Sequence, residues 1–127
     1  MNVVAHGIDL VEITRVARLL KDHPERAKAR LFTLGELSYC EGKKGEHQHL
    51  AARFAAKEAV LKALGCGWSQ GVAWTDVEVT RAPSGEPGVK LEGRAAEIAA
   101  ERGITDWRLS LTHTAELAQA SAIALGS

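Results

Sequence analysis

Cysteine is scarce in this chain of 127 residues, which has only Cys40 and Cys66, far apart and without the spacing of a metal site. Such cysteine usage is typical of a reduced, cytoplasmic protein. Long apolar runs are also absent, since none approaches the ~20 residues that a membrane span requires. The N-terminus has no basic region ahead of an apolar core, so we expect no signal peptide. The length and a 46% hydrophobic composition predict one globular domain over residues 1–127.

The chain also lacks an excess of charge of either sign, because 16 Lys and Arg balance 16 Asp and Glu. A net charge of zero argues against general nucleic-acid binding. The phosphate-loop pattern Gly-x-x-x-x-Gly-Lys-[Ser/Thr] is absent, which argues against a magnesium-dependent nucleotide-binding protein of that type. Charge is nevertheless uneven along the chain. Bases exceed acids between residues 15 and 30, and this face is either a solvated surface or a site for an acidic partner; the bases are Arg15, Arg18, Lys21, Arg26, Lys28 and Arg30.

The strongest helix signal runs from about His49 to Leu64, where neither proline nor glycine interrupts helix-favouring residues. Gly65 predicts the end of this helix. One face is narrow and apolar and can lie very close to another element; its alanines are Ala51, Ala52, Ala55, Ala59 and Ala63. Beside that face run Phe54, Glu58 and Lys62, with Arg53 and Lys57 one step round. This flank is either a surface salt-bridge pattern or one wall of a site for a metal and phosphate.

The remaining segments predict an α+β fold in which helices pack on a largely antiparallel sheet. The predicted order is β-α-α-α-β-β-α-β-β. Thr33 and Glu36 form a capping-box pattern at the start of one helix. The predicted strands are 3–10, 74–81, 89–91, 107–113 and 117–125, and the predicted helices besides the long one are 12–23, 34–39 and 93–102, with a further short one over 25–31.

Two groups of polar residues have more than one interpretation at this point. Gly7 within the first strand indicates a close approach by another backbone or by a ligand. Asp9 follows near the end of that strand, where it is either an exposed or helix-capping residue or a metal ligand. His47 and His49 have no third ligand nearby in sequence, so we interpret them as surface histidines.

Three segments together resemble one family. They are Gly7-Ile8-Asp9-Leu10-Val11-Glu12, then Arg53-Phe54-Ala55-Ala56-Lys57-Glu58-Ala59 with Lys62 and Gly65, and Ser110-Leu111-Thr112-His113-Thr114. At this spacing the chain resembles the holo-[acyl-carrier-protein] synthases, the short-chain class of 4′-phosphopantetheinyl transferases. The resemblance covers the whole chain and includes residues 31–37 and the predicted strand that begins at Trp74.

The resemblance implies an enzyme that transfers 4′-phosphopantetheine from coenzyme A to a serine of an acyl carrier protein, as in fatty-acid biosynthesis. It implies a Mg²⁺ cofactor held by Asp9 and Glu58, which is chemically reasonable because Mg²⁺ prefers carboxylates, phosphates and water. Lys62 would act on the pyrophosphate and assist the leaving group. The base for the serine is either Glu58 or a metal-bound water.

Further contacts with coenzyme A are also implied by the resemblance. Arg53 would contact a phosphate or the ribose, and Phe54 would pack by the adenine or the ligand chain. The resemblance also implies a homotrimer with active sites between subunits. In such a trimer, His113 of a neighbouring subunit would lie near the 3′-phosphate. The remaining expected contacts are Gly65, Ser84 and Gly85.

The same resemblance gives the basic segment a role, because carrier proteins are acidic and the family docks them with bases on the first helix. Arg15 matches a docking arginine most directly, with Arg18 and Lys21 on the same exposed side. The chain departs from the family at a hairpin turn, where Gly-Lys-Pro is replaced by Gly85-Glu86-Pro87. Either Lys90 restores the lost charge, or the turn backbone is what matters.

Three other interpretations remain open. One is the long-chain, broad-specificity branch of the transferases, and a second is a transferase domain excised from a larger fatty-acid or polyketide synthase. The third is a non-catalytic adaptor for acidic proteins on the same fold. An adaptor would have no need of Asp9, Arg53, Glu58 and Lys62 together, and their presence favours an enzyme.

Overall fold

A computed structural model describes residues 1–127 and has the predicted α+β architecture. Three strands form one antiparallel sheet in the order β1-β5-β4, and β2 and β3 form a separate two-stranded antiparallel sheet. The strands are β1 (Asn2–Glu12), β2 (Val77–Arg81), β3 (Pro87–Leu91), β4 (Ile104–His113) and β5 (Leu117–Gly126). The helices are α1 (Ile13–Leu19), α2 (Pro24–Leu31), α3 (Leu34–Cys40), α4 (Glu46–Leu64) and α5 (Gly93–Glu101).

The long helix α4 forms the centre of the core. It has 19 residues and ends at Gly65, whose φ of +73° is the left-handed conformation that glycine adopts readily. Its alanine face packs against β1 and β5. A Cβ added to Gly7 on β1 would lie 1.9 Å from the carbonyl oxygen of Ala59. The predicted close approach at Gly7 is therefore confirmed, and the partner is the backbone of α4.

The final strand confirms the alternation expected from its sequence. Along β5 every second residue is buried under α4, and these are Ala118, Ala120, Ala122 and Ala124. The alternate residues face away from α4 and stay partly exposed. Small side chains on one side of β5 allow the helix to lie close to the sheet.

The predicted order is one helix short, since four helices rather than three precede β2, but the further short helix predicted over 25–31 is confirmed as α2. Pro24 starts a separate helix α2, and α3 follows after the Thr33 cap. The capping box is confirmed, because Thr33 Oγ1 accepts a bond from the Glu36 N–H and Glu36 Oε1 accepts one from the Thr33 N–H.

Two predicted boundaries are wrong. The first helix ends at Leu19 rather than His23, so Lys21 lies in the turn that follows and not on α1. Trp74 belongs to a short 3₁₀ turn over Trp74–Asp76 that precedes β2 rather than to the strand. Both errors extend a regular pattern into a turn, where side-chain periodicity carries little information.

No helix in the structure has the length and apolar character needed to cross a bilayer.

Candidate functional site

Asp9, Glu58 and Lys62 lie together where β1 runs beside α4. Lys62 Nζ donates to Asp9 Oδ1 at 2.9 Å and to the carbonyl oxygen of Ile8 at 3.0 Å. Glu58 stands one helical turn before Lys62, so the two side chains share a face of α4. Asp9 reaches this face because Gly7, two residues earlier, lets β1 approach the helix backbone. The structure thus brings together the three residues that the sequence assigned to catalysis.

The Glu58 carboxylate is half-buried and has no ion-pair partner. Burial raises its pKa, the nearby Asp9 raises it further, and a hydrogen bond from Trp68 lowers it. Lys62 and Arg15 also lower the pKa of Glu58, but neither forms a direct pair with it. A second positive charge between Asp9 and Glu58 would stabilise both ionised carboxylates.

This chemistry fits Mg²⁺ better than a metal held by protein alone. The structure contains no group of three or more His, Cys, Asp or Glu side chains placed to hold a metal. Mg²⁺ does not require one, since it commonly binds one or two carboxylates and completes its shell with water and substrate phosphates. Asp9 and Glu58 are the residues that would hold it.

A column of three aromatic rings stands beside Glu58. Phe54 lies one turn before Glu58 on α4 and stacks on Trp74, with ring centroids 4.9 Å apart. Trp74 in turn stacks on Trp68, with centroids 3.9 Å apart. Phe54 is only 3% exposed, so Trp74 and the rest of the protein cover its ring almost completely. Arg15 lies over the Phe54 ring at 5.9 Å from its centroid.

Arg53 lies on a different side of α4 from Glu58. Five residues separate them on α4, which turns their side chains to different sides of the helix. Arg53 lies over the Tyr39 ring, 4.2 Å from its centroid. It also lines an open pocket of about 390 Å³; the other lining residues are Gly35, Ser38, Tyr39, Glu78, Val79, Thr80 and Arg81.

The Arg53 guanidinium is buried and only partly satisfied. Its Nη1 donates to the His49 carbonyl oxygen at 3.3 Å. Its Nε and Nη2 are buried without any hydrogen-bond partner. Unpaired buried donors on a charged group are costly and call for an explanation. An anionic ligand at the pocket would satisfy them.

His113 contacts His49 and so lies on the same side of α4 as Arg53. The two imidazole rings meet edge to face at 6.1 Å, and Tyr39 contacts His49 in the same way at 5.8 Å. Burial lowers the pKa of His49, and the surrounding positive charges lower it further; they are Arg53, His113, Lys43 and Arg81. We call His49, these four basic residues and Tyr39 the cationic patch. Its concentration of positive charge is suited to bind an anion.

The hairpin turn with Ser84 and Gly85 adjoins the cationic patch through Arg81. Arg81 Nη1 donates to the Gly85 carbonyl oxygen, and its guanidinium lies over Tyr39 at 5.2 Å. Lys90, the residue considered as a replacement for the missing turn lysine, instead pairs with Glu92 at 3.6 Å. Arg81 is therefore the base that the structure brings to this turn.

The basic segment is divided by the end of α1. Arg15 and Arg18 are both exposed on the helix, and Arg15 reaches the rim of the site through its contact with Phe54. Lys21 is exposed but lies beyond the helix, which corrects its predicted place on the same helical side.

Several residues near the two regions were not found from the sequence. Trp68, Trp74, Tyr39 and Arg81 sit on a loop, a turn, a helix and a strand, and only the tertiary structure assembles them. Lys57, placed by its spacing on the charged flank, is in fact fully buried and pairs with Glu36 at 2.6 Å. The capping-box pattern at Glu36 was the one sequence signal for this buried pair, because it predicts that the Glu36 side chain is held near the start of its helix.

Comparisons with known proteins agree with this geometry. Residues 5–119 match the family model described as the 4′-phosphopantetheinyl transferase superfamily. A holo-[acyl-carrier-protein] synthase of Desulforudis audaxviator is 47% identical over 124 residues, covering 98% of this chain and 94% of the relative. One from Solibacter usitatus is 42% identical over 121 residues, with 95% and 97% coverage.

Solved structures of such enzymes share the fold. The Neisseria meningitidis holo-[acyl-carrier-protein] synthase has a TM-score of 0.86 at 29% identity, covering 98% of this chain and 99% of the other. The Helicobacter pylori enzyme, solved in complex with coenzyme A, has a TM-score of 0.83 at 27% identity, with 94% and 99% coverage. The chain belongs to the 4′-phosphopantetheinyl transferase superfamily and, within it, to the holo-[acyl-carrier-protein] synthases. It is accordingly a transferase, as the sequence resemblance predicted.

Proposed function

We propose that this enzyme transfers 4′-phosphopantetheine from coenzyme A to a serine hydroxyl of an apo acyl carrier protein in a Mg²⁺-dependent reaction. The observation that carries the proposal is the Asp9–Lys62 contact beside the unpaired carboxylate of Glu58. An adaptor would gain nothing from a half-buried carboxylate without an ion-pair partner, because burying that charge costs stability. The coenzyme A complex of the Helicobacter pylori relative supports the same donor here.

The transfer makes one bond and breaks one. The serine oxygen attacks the phosphorus that carries the pantetheine arm, and the bond from that phosphorus to adenosine 3′,5′-bisphosphate breaks. When bound, Mg²⁺ would neutralise charge on the pyrophosphate. Lys62 supplies a fixed positive charge next to the departing phosphate, and it can give that phosphate a proton. Either Glu58 or a water accepts the serine proton.

The cationic patch provides a second, separate anchor for coenzyme A. Its unsatisfied Arg53 donors suit one of the phosphates, and Arg is well matched to a phosphate because its donors form a planar fork. Gly65, Ser84 and Gly85 complete the set of proposed contacts, and the buried Phe54 supports the site through Trp74. The 3′-phosphate is the group that we assign to His113.

The separation of these two regions supports a homotrimer with sites shared between subunits. On one side of α4 lie Asp9, Glu58 and Lys62, and on another lies the cationic patch. The face of the β1-β5-β4 sheet turned away from α4 leaves apolar side chains exposed, among them Ile8, Leu10 and Leu117. A second copy of the chain covering that face would bury them. The same contact can bring His113 of one copy towards Glu58 of another.

A mass measurement tests the transfer. The protein is incubated with coenzyme A, Mg²⁺ and an apo carrier protein, and the carrier should gain the mass of one phosphopantetheine. Glu58→Gln should abolish this gain while circular dichroism shows the fold intact. Absence of any gain with carriers of fatty-acid and polyketide pathways would refute the proposal, and near-normal turnover of Glu58→Gln would remove Glu58 from the mechanism.

Mixing two inactive variants tests the shared site. Glu58→Gln and His113→Ala are prepared separately and then allowed to exchange subunits. A site between copies should regain activity, because one variant supplies Glu58 and the other supplies His113. A mixture no more active than its two components would place both residues in one chain. Light scattering should give three times the chain mass of 13.6 kDa.

A further inference from the structure

Trp68 contacts the proposed metal-binding carboxylate from a loop outside the helix. The loop leaves α4 at Gly65 and turns at Gly71, both left-handed with φ of +73° and +85°. Between them a short 3₁₀ turn over Trp68–Gln70 brings the indole back over the helix. Trp68 Nε1 donates to Glu58 Oε1 at 3.3 Å. No other hydrogen bond within the protein reaches this carboxylate.

The position of that indole is set by stacking. Its ring lies on Trp74 with a centroid separation of 3.9 Å and an angle of 23° between the planes. Trp74 rests in turn on the buried Phe54. The N–H group is therefore presented to Glu58 by a column whose base belongs to the same helix as Glu58. A rigid ring is a better anchor than a flexible polar side chain, because it loses less conformational freedom when fixed.

The hydrogen bond has a consequence for the orientation of Glu58. The terminal torsion of a glutamate is broad, so a carboxylate without a donor can rotate widely. With Oε1 held by Trp68, the carboxylate plane is fixed and Oε2 is left for another ligand. Such outer partners of metal ligands commonly change metal affinity or activity 10–100-fold when they are removed.

We propose that Trp68 is a positioning residue, which holds one oxygen of Glu58 so that the other is presented to the divalent metal. This inference rests on the proposed function only in assigning Glu58 as a metal ligand. The competing explanation is that Trp68 merely packs on Trp74. The two explanations differ in what the indole N–H does, since packing depends on the ring alone.

The test removes the N–H and keeps the stack. Trp68→Phe retains an aromatic ring, and a benzothiophene analogue in place of the indole retains the full bicyclic shape with sulfur instead of N–H. The same benzothiophene analogue in place of the Trp74 indole is the matched control, because it keeps the shape of the stack and leaves the Trp68 donor in place. Thermal unfolding of all variants identifies any that are simply less stable.

Metal binding is measured without turnover, by titrating Mn²⁺ in the presence of coenzyme A and following free Mn²⁺ by electron paramagnetic resonance. Both Trp68 replacements should raise the Mn²⁺ dissociation constant at least tenfold, with a parallel rise in the Mg²⁺ concentration that half-saturates transfer. The KM for carrier protein should stay within about twofold, and the benzothiophene variant at Trp74 should bind Mn²⁺ much as the unmodified enzyme does.

The outcomes separate this inference from the proposed function. If the benzothiophene variant at Trp68 binds Mn²⁺ like the unmodified enzyme, or if the benzothiophene variant at Trp74 weakens binding equally, the role of the N–H is refuted while transfer by the unmodified enzyme stands. If the unmodified enzyme transfers nothing to any carrier, the proposed function fails, and the Mn²⁺ titration still decides whether Trp68 supports a metal site at Glu58.

Discussion

Two lysines on α4 form ion pairs of the same kind in opposite surroundings. Lys57 pairs with Glu36 at 2.6 Å, and both side chains are completely buried. Lys62 pairs with Asp9 at 2.9 Å, and its side chain is 54% exposed. They lie five residues apart on one helix. Their difference shows that the environment, rather than the residue type, decides whether a charged pair is enclosed by the fold or stays accessible to a ligand.

The carboxylate of the buried pair has several protein partners. Glu36 accepts hydrogen bonds from Lys57, from the Val79 N–H at 2.8 Å and from the Thr33 N–H at 2.8 Å. These contacts join α3, α4 and β2. Burial lowers the pKa of Lys57, and the Glu36 carboxylate opposes that shift. A pair with this many protein partners has nothing to offer a ligand.

The open pair is incomplete by comparison. Lys62 is accessible to solvent, and the neighbouring Glu58 has no cationic partner of its own. Exposed pairs contribute little to stability, because solvent screens their attraction. Such charges can exchange partners when a substrate arrives. The comparison therefore predicts large stability effects at Lys57 and large activity effects at Lys62.

The largest effect should follow from breaking the buried pair. Lys57→Met leaves the Glu36 charge buried without compensation, and we expect a loss of about 3–5 kcal/mol in the free energy of unfolding. Urea denaturation measures it. The double variant Lys57→Met with Glu36→Gln should recover part of that loss, because the buried charge is gone while the amide oxygen accepts only one of the Val79 and Thr33 N–H groups. A stability loss below 1 kcal/mol for the single variant would contradict the structural role of this pair.

The next effect should appear in activity and not in stability. Lys62→Met removes the positive charge beside the departing phosphate, and we expect kcat to fall about 10²–10³-fold, as for other fixed groups that stabilise developing charge. Unfolding free energy should change by less than about 1 kcal/mol. Steady-state kinetics and urea denaturation together check both parts. A variant that unfolds readily but keeps its kcat would reverse the assignment of the two lysines.

An intermediate effect is expected where the helix meets the sheet. Gly7→Ala would place a Cβ 1.9 Å from the Ala59 carbonyl oxygen and so force β1 away from α4. We expect a loss of about 1–3 kcal/mol from overpacking, together with weaker Mn²⁺ binding as Asp9 moves from Glu58. Gly67→Ala is the control, since its added Cβ would meet only Ser69 Oγ at 3.7 Å. Equal stability of the two variants would argue against the close approach.

The smallest effect should follow from reversing the charge of Arg15, the residue that we propose contacts the carrier protein. Arg15→Glu should raise the KM for carrier protein about tenfold, roughly 1.4 kcal/mol, and leave the KM for coenzyme A nearly unchanged. Added salt should reduce the difference, because exposed charges are screened. Arg26→Glu on α2 gives the same change in net charge and serves as control. Equal effects of Arg15→Glu on both substrates would remove Arg15 from carrier docking.

Much of the fold could be predicted because local patterns survive folding. The alanine spacing of α4, the alternation in β5 and the Thr33 capping box all follow from periods and bonds within one element. The errors lie where elements end or where neighbours intervene. Lys21 continues the helical period but falls past Leu20, and Trp74 continues the strand pattern but belongs to a 3₁₀ turn. Short turns obey no long period, so their boundaries are hard to predict.

The candidate site likewise combines features set within one helix with features set by packing between elements. Glu58 and Lys62 share a face because four residues make about one helical turn, and that follows from the sequence alone. Asp9 meets Lys62 across 53 positions of chain only because Gly7 lets β1 lie against the backbone of α4. The burial of Lys57 and Arg53 likewise depends on α3 and β2, which remove water from charged side chains. Desolvation is a property of the packed neighbours, and no spacing within a single helix reveals it.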